Sequence, residues 1–260
     1  MGFRKETTIA AKAALAGGKF LLQRLGKVAS IGTKDTRYQL VTEVDRNSEE
    51  IIKQTIGRSF PKDAFLGEES GATGKSERTW IIDPLDGTTN FVHSYPAFCA
   101  SVAFYKGGKA VAGAVYSPLH KELFLAEAGS GAYVNGKPIR PSKNAQLADC
   151  ILSSGFPLHN KRLTAYNLKC LQAVLTKVQG FRRAGAAALE MCWVACGRLD
   201  GHWELDLKPW DTAAGSLILK EAGGTITRMD GSAWDVRALD MCATNGKVHD
   251  ELVGVLRSVK

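Results

Sequence analysis

Acidic residues form three short clusters in this 260-residue sequence, each next to an apolar segment. Glu68 follows one apolar run, Asp83 and Asp86 follow a second, and Asp211 precedes a third. Carboxylate oxygens are the ligands that hard cations such as Mg²⁺ prefer. Converging carboxylates repel one another unless cations neutralise them. Together the clusters therefore predict a divalent-cation site, although each one alone would also fit a surface turn or a helix cap.

The segment Asp83–Thr89 combines two kinds of binding group. We expect a buried strand to end at Asp83, because Pro84 cannot donate a hydrogen bond to a sheet. A tight turn closed by Gly87 would bring two carboxylates and the carbonyl of Leu85 together. A helix that begins after this glycine would present free backbone amides, which favour phosphate. Metal ligands and anion donors are thus predicted side by side.

Signatures of several other enzyme classes are incomplete. The glycine-rich segment 71–76 is not a phosphate loop, because Glu69 stands where the first glycine is required. A GxGxxG pattern opened by Gly129 fails at Val134, and the sequence has neither an HExxH pair nor a GxSxG element. Kinase, dehydrogenase, zinc-hydrolase and serine-hydrolase functions are therefore not favoured.

Charge and composition favour a small anionic substrate. The formal charge is +8, and Lys and Arg are spread along the chain rather than clustered as nucleic-acid binding usually requires. No apolar run approaches the roughly 20 residues of a membrane span. The N-terminus lacks the apolar core of a secretory signal, and the six cysteines include no CxxC pair. We therefore expect a cytoplasmic protein without membrane or nucleic-acid partners; a longer precursor with an import segment would change only its location.

Hydrophobic periodicity indicates an α/β fold whose two halves differ. In the first half we predict helices over 4–28 and 44–58, strands over 64–67, 79–83, 98–105, 110–117 and 122–126, and a hairpin at Asn135-Gly136. In the second half we predict strands over 150–154, 180–183, 200–205, 224–228 and 240–244, alternating with helices over 160–178, 185–197, 210–222 and 247–258. An α+β subdomain over 1–145 and an α/β subdomain over 146–260 would form one compact catalytic unit.

The chain resembles the inositol monophosphatase family of metal-dependent phosphatases, in particular its bacterial and plastid-type members. Asp83–Phe91 looks like the first signature of that family, and Trp210–Gly215 resembles the second. The similarity extends from Val41 to Gly224. It implies a layered αβαβα sandwich of the sugar-phosphatase type, a homodimer, a small phosphorylated substrate, Mg²⁺ as the cofactor, and lithium sensitivity.

The resemblance also implies which residues would hold two to three Mg²⁺ ions. Glu68, Asp83 and the carbonyl of Leu85 would hold the first ion. Asp83, Asp86 and Asp211 would hold the second, with Asp83 bridging the two. A third, weaker ion would depend on Glu68 and water molecules.

Catalytic and substrate-binding roles follow from the same resemblance. The catalytic residues would be Asp45, Glu68 and Thr88, with Thr88 and Asp45 orienting and deprotonating the attacking water. The phosphate would bind the amides of Gly87 and Thr88. The full substrate-binding set would be Glu68, Leu85, Asp86, Gly87, Thr88, Arg182, Gly185, Ala186, Ala187, Glu204 and Asp211.

Two departures from the family pattern leave the substrate open. The intact segment Gly87–Phe91 and the acid Glu204 favour inositol monophosphate. However, Ala186 replaces a common Ser or Thr, and Asp206 adds a charge near the expected pocket. Hexose phosphate, fructose 1,6-bisphosphate and histidinol phosphate therefore remain alternatives. A regulatory or RNA-associated protein of this fold is less favoured, because the expected catalytic set is complete.

Overall fold

A computed structural model describes residues 2–28, 30–33 and 40–259 of the chain. In these ranges the helices are α1 (Lys5–Arg24), α2 (Glu43–Gly57), α3 (Thr88–Val92), α4 (Lys161–Leu175), α5 (Ala187–Ala195), α6 (Pro209–Ala222) and α7 (His249–Arg257). The strands are β1 (Ile31–Thr33), β2 (Leu40–Thr42), β3 (Ala64–Gly67), β4 (Gly71–Thr73), β5 (Arg78–Asp86), β6 (Cys99–Lys106), β7 (Lys109–Ser117), β8 (Glu122–Glu127), β9 (Gly131–Val134), β10 (Lys137–Pro138), β11 (Ile151–Ser154), β12 (Gly180–Arg182), β13 (Gly201–Leu205), β14 (Thr225–Thr227) and β15 (Asp240–Thr244).

The larger sheet has eight strands in the order β10-β9-β8-β7-β6-β5-β3-β4. Neighbouring strands in it run antiparallel, except that β3 and β5 run parallel. Helices α1 and α2 pack on one face, where Ala10, Ala13 and Ile52 are buried against Trp80 and Phe104. Since the carboxyl ends of parallel strands meet at one edge, the residues that follow β3 and β5 come close together.

The second sheet has five strands in the order β12-β11-β13-β15-β14, with β11 parallel to both of its neighbours. Helices α5 and α6 lie between the two sheets, because Met191 and Ile218 share one buried cluster with Phe124 and Met241. On the outer face, α4 and α7 pack over Trp203. The five layers form the αβαβα sandwich that the family resemblance implies.

The central helical layer comes from the second half of the chain and packs between the two sheets. The strands of the larger sheet lie between residues 64 and 138, and those of the second sheet lie between residues 151 and 244. Helices α5 and α6 belong to the second half but pack against strands of the first. None of the helices in the described ranges has the length and apolar character needed to cross a membrane.

Several predicted elements end earlier or begin elsewhere than the sequence pattern suggests. Helix α1 ends at Arg24 rather than 28, since Leu25 leaves helical geometry with ψ of 128° and Gly26 takes a φ of 72°. Helix α4 ends at Leu175 rather than 178. The three-residue strands β1, β2 and β4 were not predicted, whereas β12 and β14, which are equally short, were.

The prediction that Pro84 ends the strand is wrong. Strand β5 continues to Asp86, which pairs with Cys99 of β6, and the register shifts between Asp83 and Asp86. The proline sits in that irregularity, where the ladder does not require its missing N–H. The irregularity lets the strand deliver two carboxylates to the site.

Candidate active site

Asp83 and Asp86 flank the irregularity in β5, and both are buried. Oδ1 of Asp83 accepts a hydrogen bond from the amide of Leu85 at 3.0 Å, which fixes the turn. Asp86 reaches across to α5, where its carboxylate accepts the amides of Ala187 at 3.1 Å and Ala188 at 2.8 Å. A carboxylate at a helix N-terminus is favoured by the helix dipole. Asp86 therefore connects the two halves of the chain.

Glu68 and Asp211 approach this place from two other elements. Glu68 follows β3, and its amide donates to the carbonyl of Ile82 in β5 at 3.1 Å. Asp211 lies in the first turn of α6, where its Oδ2 accepts the amide of Lys208 at 2.6 Å. We refer to Glu68, Asp83, Asp86 and Asp211 as the acidic cluster.

Mutual repulsion within the acidic cluster is strong. Burial raises the pKa of Asp83 and of Asp211 well above the usual range, and the charge of Glu68 raises both pKa values further. Burial also raises the pKa of Asp86 to about 7, and the charge of Glu204 contributes to that shift. A divalent cation placed among these groups would relieve the repulsion.

The donors of the acidic cluster fit Mg²⁺ in chemistry, since all of them are oxygen atoms. Among the described residues, no group of three or more His, Cys, Asp and Glu side chains is arranged as a ready metal-binding set. The carboxylates of Asp86 and Asp211 face backbone amides, and the carboxyl of Asp83 is within hydrogen-bonding reach of Glu68.

Thr88 and Asp45 form a hydrogen-bonded pair beside the acidic cluster. The Thr88 hydroxyl lies 2.9 Å from Oδ1 of Asp45 and 3.2 Å from the carbonyl of Leu85. The other carboxylate oxygen of Asp45 accepts the amide and the hydroxyl of Thr42, at 2.8 and 2.6 Å, in the capping box of α2. Burial raises the pKa of Asp45, although the bonds from Thr42 and Thr88 oppose the shift. Hydrogen bonds to Thr42 on one side and to the carbonyl of Leu85 on the other thus hold the Thr88–Asp45 pair in place.

Gly87 gives α3 its starting geometry. Its φ of 90° lies in the left-handed region, which disfavours other residues. A Cβ at this position would lie 2.8 Å from the carbonyl oxygen of Ala97. The helix begins at Thr88, so its first amides have no partners within the helix. The phosphate is predicted from the sequence to bind at these amides.

A cavity of about 540 Å³ adjoins the acidic cluster. Of the predicted site residues, the cavity is lined by Asp86, Gly185, Ala187, Glu204 and Asp211. Ala186 is buried, and its Cβ faces the backbone of Gly87. The cavity is thus acidic at the cluster and mixed in character farther out.

Arg182 does not line the cavity, whereas its neighbour Arg183 does. The guanidinium of Arg182 donates to the carbonyl of Phe181 at 2.9 Å, and the side chain is exposed. Sequence periodicity could not decide between two adjacent arginines at the end of a three-residue strand. Asp206, noted from its charge, also lines the cavity and pairs with His159 at 2.8 Å.

Sequence reasoning missed His93, Gly155 and the buried acid Glu190. His93 and Gly155 line the cavity. The carboxylate of Glu190 accepts the amides of Ala184 and Gly185 at 3.3 and 3.0 Å, which holds the loop before α5. The one available signal was an acid inside the apolar helical segment 187–195.

The family match is decisive: the sequence model of the inositol monophosphatase family matches residues 4–260. This chain belongs to the inositol monophosphatase family. The family consists of metal-dependent phosphatases. The acidic cluster and the Thr88–Asp45 pair therefore form the candidate active site of this chain.

Curated relatives within the family carry different names. An inositol-1-monophosphatase of Synechocystis sp. is 43% identical over 246 residues, which cover 94% of this chain and 86% of the relative. A fructose-1,6-bisphosphatase/inositol-1-monophosphatase of Aquifex aeolicus is 41% identical, with 98% and 96% covered. A putative Nus factor SuhB of Neisseria meningitidis serogroup B is 39% identical, with 94% and 95% covered.

Solved inositol monophosphatases have the same fold. The inositol monophosphatase of Anabaena superposes with a TM-score of 0.89 at 39% identity, covering 98% of this chain and 96% of that one. A staphylococcal inositol monophosphatase-1, described as a LiCl-soaked inhibitory complex, superposes with a TM-score of 0.84 at 27% identity, covering 96% and 93%.

Proposed function

We propose that this chain hydrolyses a small phosphate monoester, with myo-inositol monophosphate as the substrate, to inositol and phosphate without a covalent intermediate. The observation that carries the proposal is that the Thr88–Asp45 pair and the acidic cluster meet at Leu85, whose carbonyl lies 3.2 Å from the Thr88 hydroxyl. A water-activating pair and a site for cations would then act on the same phosphate.

The metal requirement follows from the donor set. Glu68, Asp83, the carbonyl of Leu85, Asp86 and Asp211 would hold two to three Mg²⁺ ions. Bound divalent cations neutralise a phosphate dianion and make a nearby water more acidic. Lithium inhibition is part of this proposal, supported by the family and by the LiCl-soaked staphylococcal complex.

The protein's own groups would orient the reaction. Because the Thr88 hydroxyl donates to Asp45, its oxygen lone pairs are available to accept a hydrogen bond from the attacking water. The proton removed from that water passes through this hydroxyl to Oδ1 of Asp45. The water oxygen bonds to phosphorus as the ester P–O bond breaks, and the departing alcohol oxygen takes a proton from solvent water, which is balanced when Asp45 releases its proton to solvent. The amides of Gly87 and Thr88 hold the phosphate, and Glu204 accepts a hydroxyl of the alcohol.

Phosphate release tests the proposal directly. Phosphate release by the purified protein with Mg²⁺ is measured for five esters: inositol monophosphate, fructose 1,6-bisphosphate, histidinol phosphate, a hexose phosphate and a nucleoside monophosphate. We expect the highest kcat/KM with inositol monophosphate, loss of activity with a chelator and recovery with added Mg²⁺. The Asp45→Asn variant controls for contaminating phosphatase. Release from none of the esters, or equal release by Asp45→Asn, would contradict the proposal.

Fructose 1,6-bisphosphate is the second candidate substrate. Arg183 lines the cavity together with Glu204. Its positively charged guanidinium could bind a second phosphate on the alcohol. The name of the Aquifex aeolicus relative includes both activities. A kcat/KM that is higher for the bisphosphate, and that falls selectively in Arg183→Ala, would favour this alternative.

A regulatory or RNA-associated role is the third candidate, supported by relatives named as Nus factors. The formal charge of +8 would favour RNA binding, but attraction of a small anionic substrate explains the same charge. RNA binding that weakens steeply with salt would support this role. We propose instead that nucleic acid is not the main partner, because the residues expected for catalysis are all present.

Assembly, location and internal organisation complete the proposal. We propose a homodimer in the cytoplasm, supported by the family resemblance and by the bacterial-type relatives. The subdomains 1–145 and 146–260 are proposed to act as one unit, supported by the buried core in which α5 and α6 of the second pack against strands of the first. Light scattering of the purified protein tests the dimer, and a monomer would contradict it.

A further inference from the structure

Glu204 has a carboxylate that is held from two sides. It lies near the end of β13 and lines the cavity, with its side chain 18% exposed. On one side, its Oε2 lies 3.1 Å from Nε2 of His202. On the other side it packs against Gly155, where an added Cβ would overlap the carboxylate. The orientation of Glu204 is therefore determined by these two neighbours.

His202 is buried completely and lies two residues before Glu204 on the same strand. Residues two apart on a strand face the same side of the sheet, so both side chains face the central layer. Nδ1 of His202 lies 2.9 Å from the hydroxyl of Ser153, its partner residue on the parallel strand β11. The imidazole ring is thus anchored before it meets Glu204.

A second buried acid lies behind the ring. Oε1 of Glu190 is 3.8 Å from Nδ1 of His202, and Glu190 itself is fully buried. Burial opposes the charged imidazolium, but the charges of Glu190 and Glu204 raise the pKa of His202 overall. A carboxylate can only accept, so Nε2 must carry the proton that faces Glu204. This holds for the neutral ring, whose Nδ1 accepts from Ser153, and for the cation alike.

We propose that His202 is a positioning residue for substrate specificity, which holds one carboxylate oxygen of Glu204 so that the other can accept a hydroxyl of a polyol phosphate. The inference rests on the proposed function, because it requires Glu204 to contact the alcohol. Gly155 has the complementary role of leaving room for that carboxylate. His202 itself touches neither the phosphate nor the acidic cluster in this arrangement.

Two substrates separate positioning from chemistry. Inositol monophosphate offers hydroxyls to Glu204, whereas p-nitrophenyl phosphate offers none. We expect His202→Phe, which removes the donor from the ring, to raise KM for inositol monophosphate by about five- to tenfold. We expect kcat, and kcat/KM for the aryl phosphate, to stay within about twofold of the wild-type values. His202→Gln places an amide donor near the Nε2 position. Its KM for inositol monophosphate should therefore be close to the wild-type value.

A double-mutant cycle identifies the route of the effect. In a Glu204→Ala background, His202→Phe should cause no further change in substrate preference, because its effect passes through Glu204. Gly155→Ala should reproduce the loss without altering the histidine. His249→Gln is the matched control, since that buried histidine bonds Thr227 and Thr244 away from the cavity.

The outcomes distinguish the two proposals. If Glu204→Ala leaves substrate preference unchanged, the proposed alcohol contact fails, and this inference fails with it. A second outcome is that Glu204→Ala changes the substrate preference, but His202→Phe and Gly155→Ala lower kcat/KM for both substrates equally. In that case only the positioning role is overturned. Should His202→Phe not fold, His202→Gln and Gly155→Ala still decide: unchanged preference in Gly155→Ala contradicts the inference.

Discussion

The hydroxyl oxygen of Thr88 lies 2.9 Å from Oδ1 of Asp45, although 43 positions separate the two residues in the chain. Thr88 begins α3, and Asp45 lies in the first turn of α2. Two helix starts therefore meet at the side of the candidate active site where we propose that the phosphate binds. The contact gives each residue a role that neither helix would supply alone.

We expect Thr88→Ala to lower kcat more than it raises KM. The hydroxyl would contact the attacking water, and that interaction matters most in the transition state. General base assistance contributes roughly 100-fold or more, so kcat should fall by about that factor. Steady-state phosphate release measures it, with the exposed Thr8→Ala as control. Asp45→Asn should behave alike, and the double variant should be far from additive. A raised KM with unchanged kcat would make Thr88 only a phosphate ligand.

We expect Asp83→Asn to remove nearly all activity while the fold is retained. The substitution removes a carboxylate that would bridge two cations but barely changes the volume of the side chain. Loss of groups that only support metal ligands already costs roughly 10- to 100-fold, so a bridging ligand should cost more. Phosphate release at saturating Mg²⁺ is the measurement.

Thermal unfolding gives a second readout for Asp83. Ligands that bind only the folded state raise Tm, so Mg²⁺ should raise the Tm of the wild type and not that of Asp83→Asn. Asp230→Asn, in an exposed turn, is the control for removing an aspartate charge. Near-native turnover of Asp83→Asn would refute the assignment of this metal ligand.

We expect lithium to inhibit turnover, and excess Mg²⁺ to inhibit as well. Asp83, Asp86 and Asp211 would hold one of the proposed ions, and that ion would have to leave or exchange as phosphate departs. A monovalent cation of similar size could retain the product without activating the next cycle. Titration of LiCl against KCl at matched ionic strength should show uncompetitive inhibition by lithium alone. Equal effects of the two salts would indicate only screening of the positively charged surface.

We expect acid to weaken one ion pair that joins the two halves of the chain. The two terminal guanidinium nitrogens of Arg198, Nη1 and Nη2, donate to the Glu122 carboxylate at 2.6 and 2.5 Å. The bonds from Arg198 lower the pKa of Glu122. A carboxyl with a lowered folded-state pKa stabilises the fold above its unfolded pKa, and that stabilisation is lost as the pH falls through the folded-state pKa. The contribution should be modest, because the pair is partly exposed to solvent.

Glu122→Gln tests this pH dependence. The variant should have a lower Tm than the wild type at about pH 7, and the difference should shrink on acidification below the usual glutamate pKa of about 4.3. Glu50→Gln, on the exposed face of α2, controls for the loss of one surface charge. A Tm difference that is the same at both pH values would argue against the ion pair as its cause.

Local sequence signals were sufficient for the acids and for most elements. The apolar run before Asp83 predicts a strand and Gly87 predicts a helix start, and the structure has both, although the strand continues past Pro84 to Asp86. The parallel pairing of β3 and β5 then places Glu68 beside Asp83. The strand and the helix start depend on short-range backbone preferences and on alternation, both of which can be read along the chain, whereas the pairing of β3 with β5 was not predicted.

What only the tertiary structure decided depends on contacts between distant segments. Asp86 bonds amides about a hundred positions away, Arg183 rather than Arg182 lines the cavity, and His202 lies between Glu190 and Glu204. Pairing with β6 also carried β5 past Pro84, against the local rule. No periodicity encodes such contacts, because the free energy that fixes each of these side chains comes from groups that packing alone brings within reach.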